Sequence, residues 1–379
     1  MTVGIVGAGP AGLVIAHLLQ RNHIPYVLLD RSPAGAVGQQ PKAGVVEYRT
    51  ARLLTAENLP LEFVAENHRC EFRTPDESAV IDYARLTGGR PHYLYPQHHL
   101  VARLHETLVE AGGDLRCGQT VTAVKPGPDG VELIVTPDDG EPYTLDCDMA
   151  IGCDGSHSVV AASMPGLIVS EQRFPVRWLA VIANAPPLEP HTIYAAHPRG
   201  FAGQMRRDPE HTRYYLEVPA SDTAADWPQE RIRIELATRL VVGDRLDGVP
   251  FADLSFLDLR VRVARHLQDG PLYLAGDAAH LITPAGGKGM NLAIQDAVEL
   301  GHGIIEHYGD DRSRLAAYST TRLPEIWRTE AFSHWFLHVI LADREAFANG
   351  LRGGWVTALR TDPLFVRWFA HAYAGVDPA

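Results

Sequence analysis

"TVGIVGAGPAGLVIAHLL", residues 2–19, decides the fold. Val3 to Val6 is apolar throughout, as befits a strand buried on both faces, and Leu13 to Leu19 continues as an amphipathic helix. Between them Gly7-Ala8-Gly9-Pro10-Ala11-Gly12 matches GxGxxG. Each glycine has a physical reason: Gly7 permits the tight turn, Gly9 lets a pyrophosphate approach the backbone, and Gly12 lets the helix pack closely on the strand. A second apolar strand, Tyr26 to Leu29, ends in Asp30, at the spacing of an acid that bonds an adenosine ribose, with Arg31 next to it. Strand, glycines, helix, second strand and acid together predict a dinucleotide cradle in an α/β, Rossmann-like domain. They do not say which dinucleotide, because FAD and NAD use the same geometry.

A second cradle lies far along the chain, in "LYLAGDAAHLITPAGGKGMNLAIQDAVEL", residues 272–300. An apolar strand stops at Gly276-Asp277, a loop holding Gly286, Gly287 and Gly289 follows, and a helix is expected from about Met290. Asp277 stands at the carboxyl end of a strand, where open parallel sheets bind ligands. The glycine loop presents N–H groups at a helix start, where the dipole favours an anion or an electron-rich ring edge. A third unit of the same kind, "CDMAIGCDGSHSVV" at 147–160, ends its strand in Asp154-Gly155.

Composition narrows the class. The 379 residues are 46% hydrophobic and 21% charged, enough for two joined domains. Against 46 Asp and Glu stand 34 Lys and Arg, a formal charge of −12, which disfavours a grip on nucleic acid. Two local basic clusters, Arg206-Arg207 with Arg213 and Arg260 with Arg262 and Arg265, suit a small anion better than a polymer. Cys70, Cys117, Cys147 and Cys153 have no metal-site or disulfide-framework spacing, so no metal and a reduced, cytoplasmic setting are expected. No spanning helix, leader, repeat or long linker is read, since three glycines and a proline interrupt the first apolar run.

The three strand-loop units stand in the order found in the group A FAD-dependent aromatic monooxygenases, and the chain resembles that family. Within it, the para-hydroxybenzoate hydroxylase branch is most similar: "AGDAAHLITPAGGKGMNLA" (275–293) resembles its flavin loop, "YAAHPRGFAGQMRRDPEHTRYYLEVP" (194–219) its substrate sheet, and "AHAYAG" (370–375) its last active-site segment. "KAGVVE" (42–47) and "YPQHHL" (95–100) correspond to further flavin-contacting segments. The resemblance implies bound FAD spanning both cradles, with NADH or NADPH as co-substrate. It implies a discontinuous FAD-binding domain (1–68, 97–165 and 271–314), a β-sheet substrate-binding domain (69–96 and 166–270) and a C-terminal helical region (315–379).

Carried over position by position, the resemblance gives Asp30 to the ribose, Lys42 to the pyrophosphate and Gln97 to the flavin. Asp277 goes to the ribityl chain, and Gly286, Gly289, Met290 and Asn291 border the ring. Arg207 and Tyr215 would hold a substrate carboxylate, with Met205 where the family has a serine. The Pro284 carbonyl would lie beside the substrate phenol, and Tyr194 and then Tyr373 would relay its proton. Asn67 replaces the relay histidine, with His68 alongside, while His157 and Arg260 remain on the nicotinamide side. Ala161 stands where an arginine is usual, so NADH is expected to serve at least as well as NADPH.

The implied reaction is hydroxylation of a 4-hydroxybenzoate-type phenolic acid ortho to its phenol, with O₂, through a flavin hydroperoxide. A substituted analogue such as 3-amino-4-hydroxybenzoate is the alternative suggested by Met205. A flavoprotein oxidoreductase without oxygen insertion is a second alternative, and a homodimer is implied through the C-terminal region. The four tryptophans there, Trp327, Trp335, Trp355 and Trp368, are expected in the core.

Overall fold

The computed structural model describes residues 2–36, 44–342 and 346–376. Val3–Val6 is fully buried and takes Tyr26–Asp30 on one side and Met149–Gly152 on the other, all parallel. Leu272–Leu274 and Leu115–Cys117 extend this sheet in parallel, and the short Gln268–Asp269 closes one edge antiparallel. The helix Pro10–Arg21 follows the first strand with proline in its first turn, a position where the missing N–H costs nothing. It packs against the helix Gly289–Tyr308. Their crossing is close at Gly301, where a Cβ would come within 2.5 Å of Leu18.

A three-stranded antiparallel sheet, Gln119–Gly127, Gly130–Pro137 and Tyr143–Cys147, flanks this unit. The larger sheet has eight strands. Its long members Val169–Ala183 and Phe251–Ala264 pair antiparallel along most of their length, followed by Thr212–Pro219, Gly200–Arg206 and Thr192–His197. Cys70–Arg73 joins Thr192–His197 in parallel and Ser78–Ile81 ends that side.

Two connections tie the sheets together. His280–Leu281, just beyond the last parallel strand, pairs with Phe251–Ala264 at the far edge of the large sheet. His92–Leu94 pairs with both Val45–Val46 and Ala65–Asn67 in a small sheet of its own, rather than joining its sequence neighbours in the large one. C-terminal helices Tyr318–Ile340, Ala346–Thr361 and Pro363–Ala374 cover the large sheet, burying Phe336 and Phe369 against Phe72 and Tyr194. The tryptophans divide: Trp335 and Trp355 are half-buried beside this cluster, whereas Trp327 and Trp368 are 44% and 45% exposed. The core expectation fails for the latter two: Trp368 packs on Trp335, Phe332 and Phe365 yet leaves much of its ring uncovered, and Trp327 stays exposed on the long helix.

Candidate active site

One cavity of about 880 Å³ runs from the first cradle to the large sheet. At one end lie Gly9, Asp30 and Arg31; in the middle Gln97, Gly276, Asp277, Gly287, Gly289 and Met290; at the other end Tyr194, Met205, Tyr215 and Pro284. The two cradles, over 260 positions apart in sequence, thus open into a single elongated space because their strands are near neighbours in one parallel sheet.

The first cradle separates packing from binding. Gly7 has φ +101°, and a Cβ there would meet the Cys153 carbonyl at 2.4 Å; a Cβ on Gly12 would meet the Gly7 carbonyl oxygen at 2.0 Å. Those two glycines are required by the protein itself. Gly9 is different: a Cβ would find no protein atom closer than 4.0 Å and would project from the cavity wall. Asp30 accepts from the Ala8 N–H at 2.6 Å and from the Ser32 N–H at 2.7 Å, so its carboxylate pins the turn while facing the cavity.

At the second cradle Asp277 is exposed to the cavity, one residue beyond the buried Gly276. Gly287, Lys288, Gly289 and Met290 line it at the start of the 20-residue helix Gly289–Tyr308, where unpaired N–H groups and the dipole favour negative charge. Gly286 and Asn291 do not line it. Gly286 has φ +78° and backs onto Phe332 and Phe336. Asn291 ties the Val45 and Gly287 carbonyls to the Glu47 N–H and so shapes the loop from behind. Thr283 Oγ1 and Trp178 Nε1 are buried cavity-lining atoms with no protein partner, as expected where a polar ligand completes them. Length, the free glycine at 9, the two acids and these orphaned polar atoms fit FAD. Lys42 lies outside the described residues.

Asp154 is turned inward. One oxygen accepts from the Val159 N–H at 2.7 Å, the other has no partner, and burial raises its carboxyl above the ordinary range. Its neighbours Cys153 and Gly155 reach the cavity instead. Ser156 gathers the nicotinamide candidates: Arg260 donates to its hydroxyl at 2.9 Å, His157 Nδ1 lies 3.4 Å from the same oxygen, and Arg262 donates to its carbonyl. Arg260 also lines the cavity.

At the substrate end the buried Tyr194 hydroxyl meets that of Tyr373 at 2.9 Å, and Tyr194 is the one that faces the cavity. Burial raises both phenols, more than the hydrogen bond to Tyr373 lowers Tyr194. Tyr215 lines the same end, but Arg207 does not. Arg207, with Arg206 and Arg213, borders a separate cavity of about 20 Å³. Asn67 is committed elsewhere, its amide donating to Thr192 Oγ1 at 2.9 Å and its carbonyl accepting from Tyr83. His68 is half exposed, 2.9 Å from Glu66.

Sequence reasoning missed what anchors Tyr373. Lys288 from the flavin loop pairs with buried Glu47 and donates to the carbonyls of Ala372 and Tyr373, both at 2.8 Å. His92 Nε2 lies 2.8 Å from the same Tyr373 carbonyl, and burial, reinforced by Lys288, pushes its pKa down to about 3, so it is neutral at working pH. No motif announces these contacts, since Lys288 and Glu47 are 241 positions apart.

The comparisons with known proteins agree with this geometry. The FAD-binding domain family matches residues 1–333. The chain is 31% identical to p-hydroxybenzoate hydroxylase of Acinetobacter baylyi over 353 residues, 89% of this chain and 85% of that one. It is also 31% identical over 314 residues to a 12-dehydrotetracycline 5-monooxygenase/anhydrotetracycline 6-monooxygenase of Streptomyces rimosus, covering 79% of this chain and 61% of that longer protein. The fold superposes on p-nitrophenol 4-monooxygenase from Pseudomonas putida at a TM-score of 0.85, covering both chains fully at 20% identity. With its cradles, its cavity and these relatives agreeing, the chain belongs to the group A FAD-dependent aromatic monooxygenases.

Proposed function

We propose that the protein hydroxylates a 4-hydroxybenzoate-type phenolic acid ortho to its phenol, using O₂ and NADH or NADPH. The observation that carries this reading is the Tyr194–Tyr373 pair, whose near member opens into the same cavity that borders the flavin loop. FAD, when bound and reduced by the nicotinamide donor, would activate O₂, from which the transferred oxygen comes. The chain's own part is to place the ring and manage its proton. A phenol bonded to Tyr194 can pass its proton to that hydroxyl as Tyr194 passes one to Tyr373 and Tyr373 gives up its own toward solvent, and the resulting phenolate is richer in electrons at the ortho carbon. Pro284 lines the same end of the cavity, and its carbonyl would hold the ring's orientation by accepting from the phenol before the proton passes to Tyr194. Buried Phe201, Trp178 and Tyr215 keep that end of the cavity away from bulk water.

Met205, lining the cavity where the resemblance places a serine, favours a second reading in which the ring bears an extra substituent, as in 3-amino-4-hydroxybenzoate. For the nicotinamide donor, the cluster of His157 and Arg260 about Ser156 supports docking beside Gly155. A homodimer is supported by the exposed apolar side chains Trp327, Phe347, Leu364 and Trp368 on the C-terminal helices.

The test is anaerobic reduction of the holoenzyme by NADH or NADPH, followed by bleaching of the flavin with and without each acid, then admission of O₂ and product identification. Strong acceleration by one acid and its recovery as the ortho-hydroxylated product is expected. Bleaching that neither acid alters, with no hydroxylated product, would overturn the reading.

A further inference from the structure

Where the resemblance places a relay histidine, strand Ala65–Asn67 carries Asn67, whose amide and carbonyl are taken by Thr192 and Tyr83. Directly opposite Asn67 in the antiparallel register stands His92, at the start of strand His92–Leu94. His92 is 1% exposed and Tyr373 2%, and their rings lie 4.7 Å apart with Tyr83 packed against both. A fully buried imidazole is unfavourable unless its N–H finds an acceptor.

That acceptor is the end of helix Pro363–Ala374. A helix leaves its last carbonyls without intrahelical partners. Here the chain turns out at Gly375, φ +66°, and the N–H groups of Gly375 and Val376 return to Ala372 and His371. The Tyr373 carbonyl receives neither, and two side chains from separate elements close it: Lys288 Nζ and His92 Nε2, each at 2.8 Å. A carbonyl only accepts, so Nε2 carries the hydrogen, and Nδ1 of the neutral ring holds the lone pair.

The two donors divide the work. Lys288, paired with Glu47, brings the positive charge that a helix C-terminus favours, but on a flexible four-carbon stem. His92 brings a neutral hydrogen bond from a rigid ring on a paired strand. The carbonyl carbon is bonded to the Tyr373 Cα, so a tilt there is magnified along the side chain. Gripping the carbonyl therefore aims the hydroxyl that meets Tyr194 at 2.9 Å.

We propose that His92 is the positioning residue of the tyrosine pair: from across the strand pair it grips Tyr373 by its carbonyl, keeps the Tyr373 hydroxyl within reach of Tyr194, and carries no proton itself. This role rests on the reading in which Tyr194 and Tyr373 serve a phenolic substrate. The ionisable groups about His92 are Lys288, Glu47, Tyr83 and Tyr373. A ring whose N–H already points at a carbonyl cannot hand a proton onward, because the carbonyl has nowhere to send it.

The test compares holoenzymes of the wild type, His92→Gln and His92→Leu, each checked for FAD content and Tm, in crystal structures and in turnover with 4-hydroxybenzoate. Glutamine puts an amide N–H where Nε2–H stood, and leucine puts none. In His92→Leu the Tyr194 and Tyr373 hydroxyls are expected to part beyond hydrogen-bonding reach. Product formed per NADH consumed should fall at least about fivefold, with peroxide making up the difference, while KM for 4-hydroxybenzoate changes less than about twofold. His92→Gln should restore the hydroxyl contact and bring coupling to within about twofold of wild type. The loss in His92→Leu should be equal at about pH 6 and about pH 8, since a neutral anchor has nothing to titrate there. An unchanged hydroxyl contact in His92→Leu, or a glutamine variant as impaired as the leucine one, would overturn the anchor. A loss confined to one pH would overturn it in favour of a histidine that carries the proton. Hydroxyls that part as expected, with no form hydroxylating 4-hydroxybenzoate, keep the anchor and remove the substrate reading. If His92→Leu does not fold, His92→Asn takes its place, its amide being too short to reach the carbonyl; equal coupling in the asparagine and glutamine variants then overturns the anchor.

Discussion

Gly9 and Gly12 stand three positions apart, yet one added methyl should have opposite consequences at the two. At Gly12 the new carbon would lie 2.0 Å from the Gly7 carbonyl, so Gly12→Ala is expected to abolish folding or lower Tm steeply in the apoprotein. At Gly9 it meets no protein atom within 4.0 Å, so Gly9→Ala should leave the apoprotein's Tm within a degree or two while weakening FAD at least about tenfold. Thermal denaturation and flavin-fluorescence titration separate the two effects. Tyr194→Phe removes the hydroxyl that bonds Tyr373 and keeps the buried ring. We expect NAD(P)H oxidation to continue with peroxide replacing product and with hydroxylation at least about tenfold slower; full coupling in this variant would exclude the relay. At this scale the first cradle's turn was legible, because Gly7, Gly9, Gly12 and Asp30 lie on consecutive local elements. Tyr194 and Tyr373, 179 positions apart, were visible only through family resemblance.

Between elements, the flavin loop and the last helix are joined by one buried charge. Lys288→Met would strand the Glu47 carboxylate, which is itself buried, and should cost about 3 kcal/mol. Adding Glu47→Gln should recover most of that loss, which denaturant unfolding would register. Helix Tyr318–Ile340 carries a second buried acid, Glu330, with one oxygen unpartnered, and burial pushes it up to about 7 from an ordinary 4.5. A folded-state pKa above the unfolded one means the folded form holds the proton more tightly. Its stabilising share is therefore full below about pH 4.5 and is lost as pH rises through about 7. Glu330→Gln should raise Tm at pH 8, by at most about 3 kcal/mol in stability, and leave it nearly unchanged at pH 4. An equal shift at both pH values would mean the gain has another source.

For the whole molecule, the proposed function has the same cavity serve cofactor, acid and nicotinamide donor. The Ser156 cluster makes a separable prediction: Arg260→Ala should raise KM for NADH severalfold while leaving the Kd of 4-hydroxybenzoate unchanged, because Arg260 bonds Ser156 beside Gly155 and does not border the small cavity of Arg206, Arg207 and Arg213. The donor preference itself is checked by comparing initial rates with NADH and NADPH at equal concentration, where NADH is expected to match or exceed NADPH.

What the sequence determined by itself was everything written in short-range pattern. The buried parallel strands, the glycine turns, the acid at each strand end and the acidic composition all follow from neighbours within about twenty residues, where backbone geometry dictates residue type. What only the tertiary structure decided depends on side chains meeting across hundreds of positions. Strand order brings two cradles into one cavity; Lys288, Glu47 and His92 close around Tyr373; two tryptophans stay exposed; and Met205 lines both the large cavity and the small one bordered by arginines. Such contacts leave no periodic trace, because a buried charge or a cavity wall is defined by what surrounds it and not by its place in the chain.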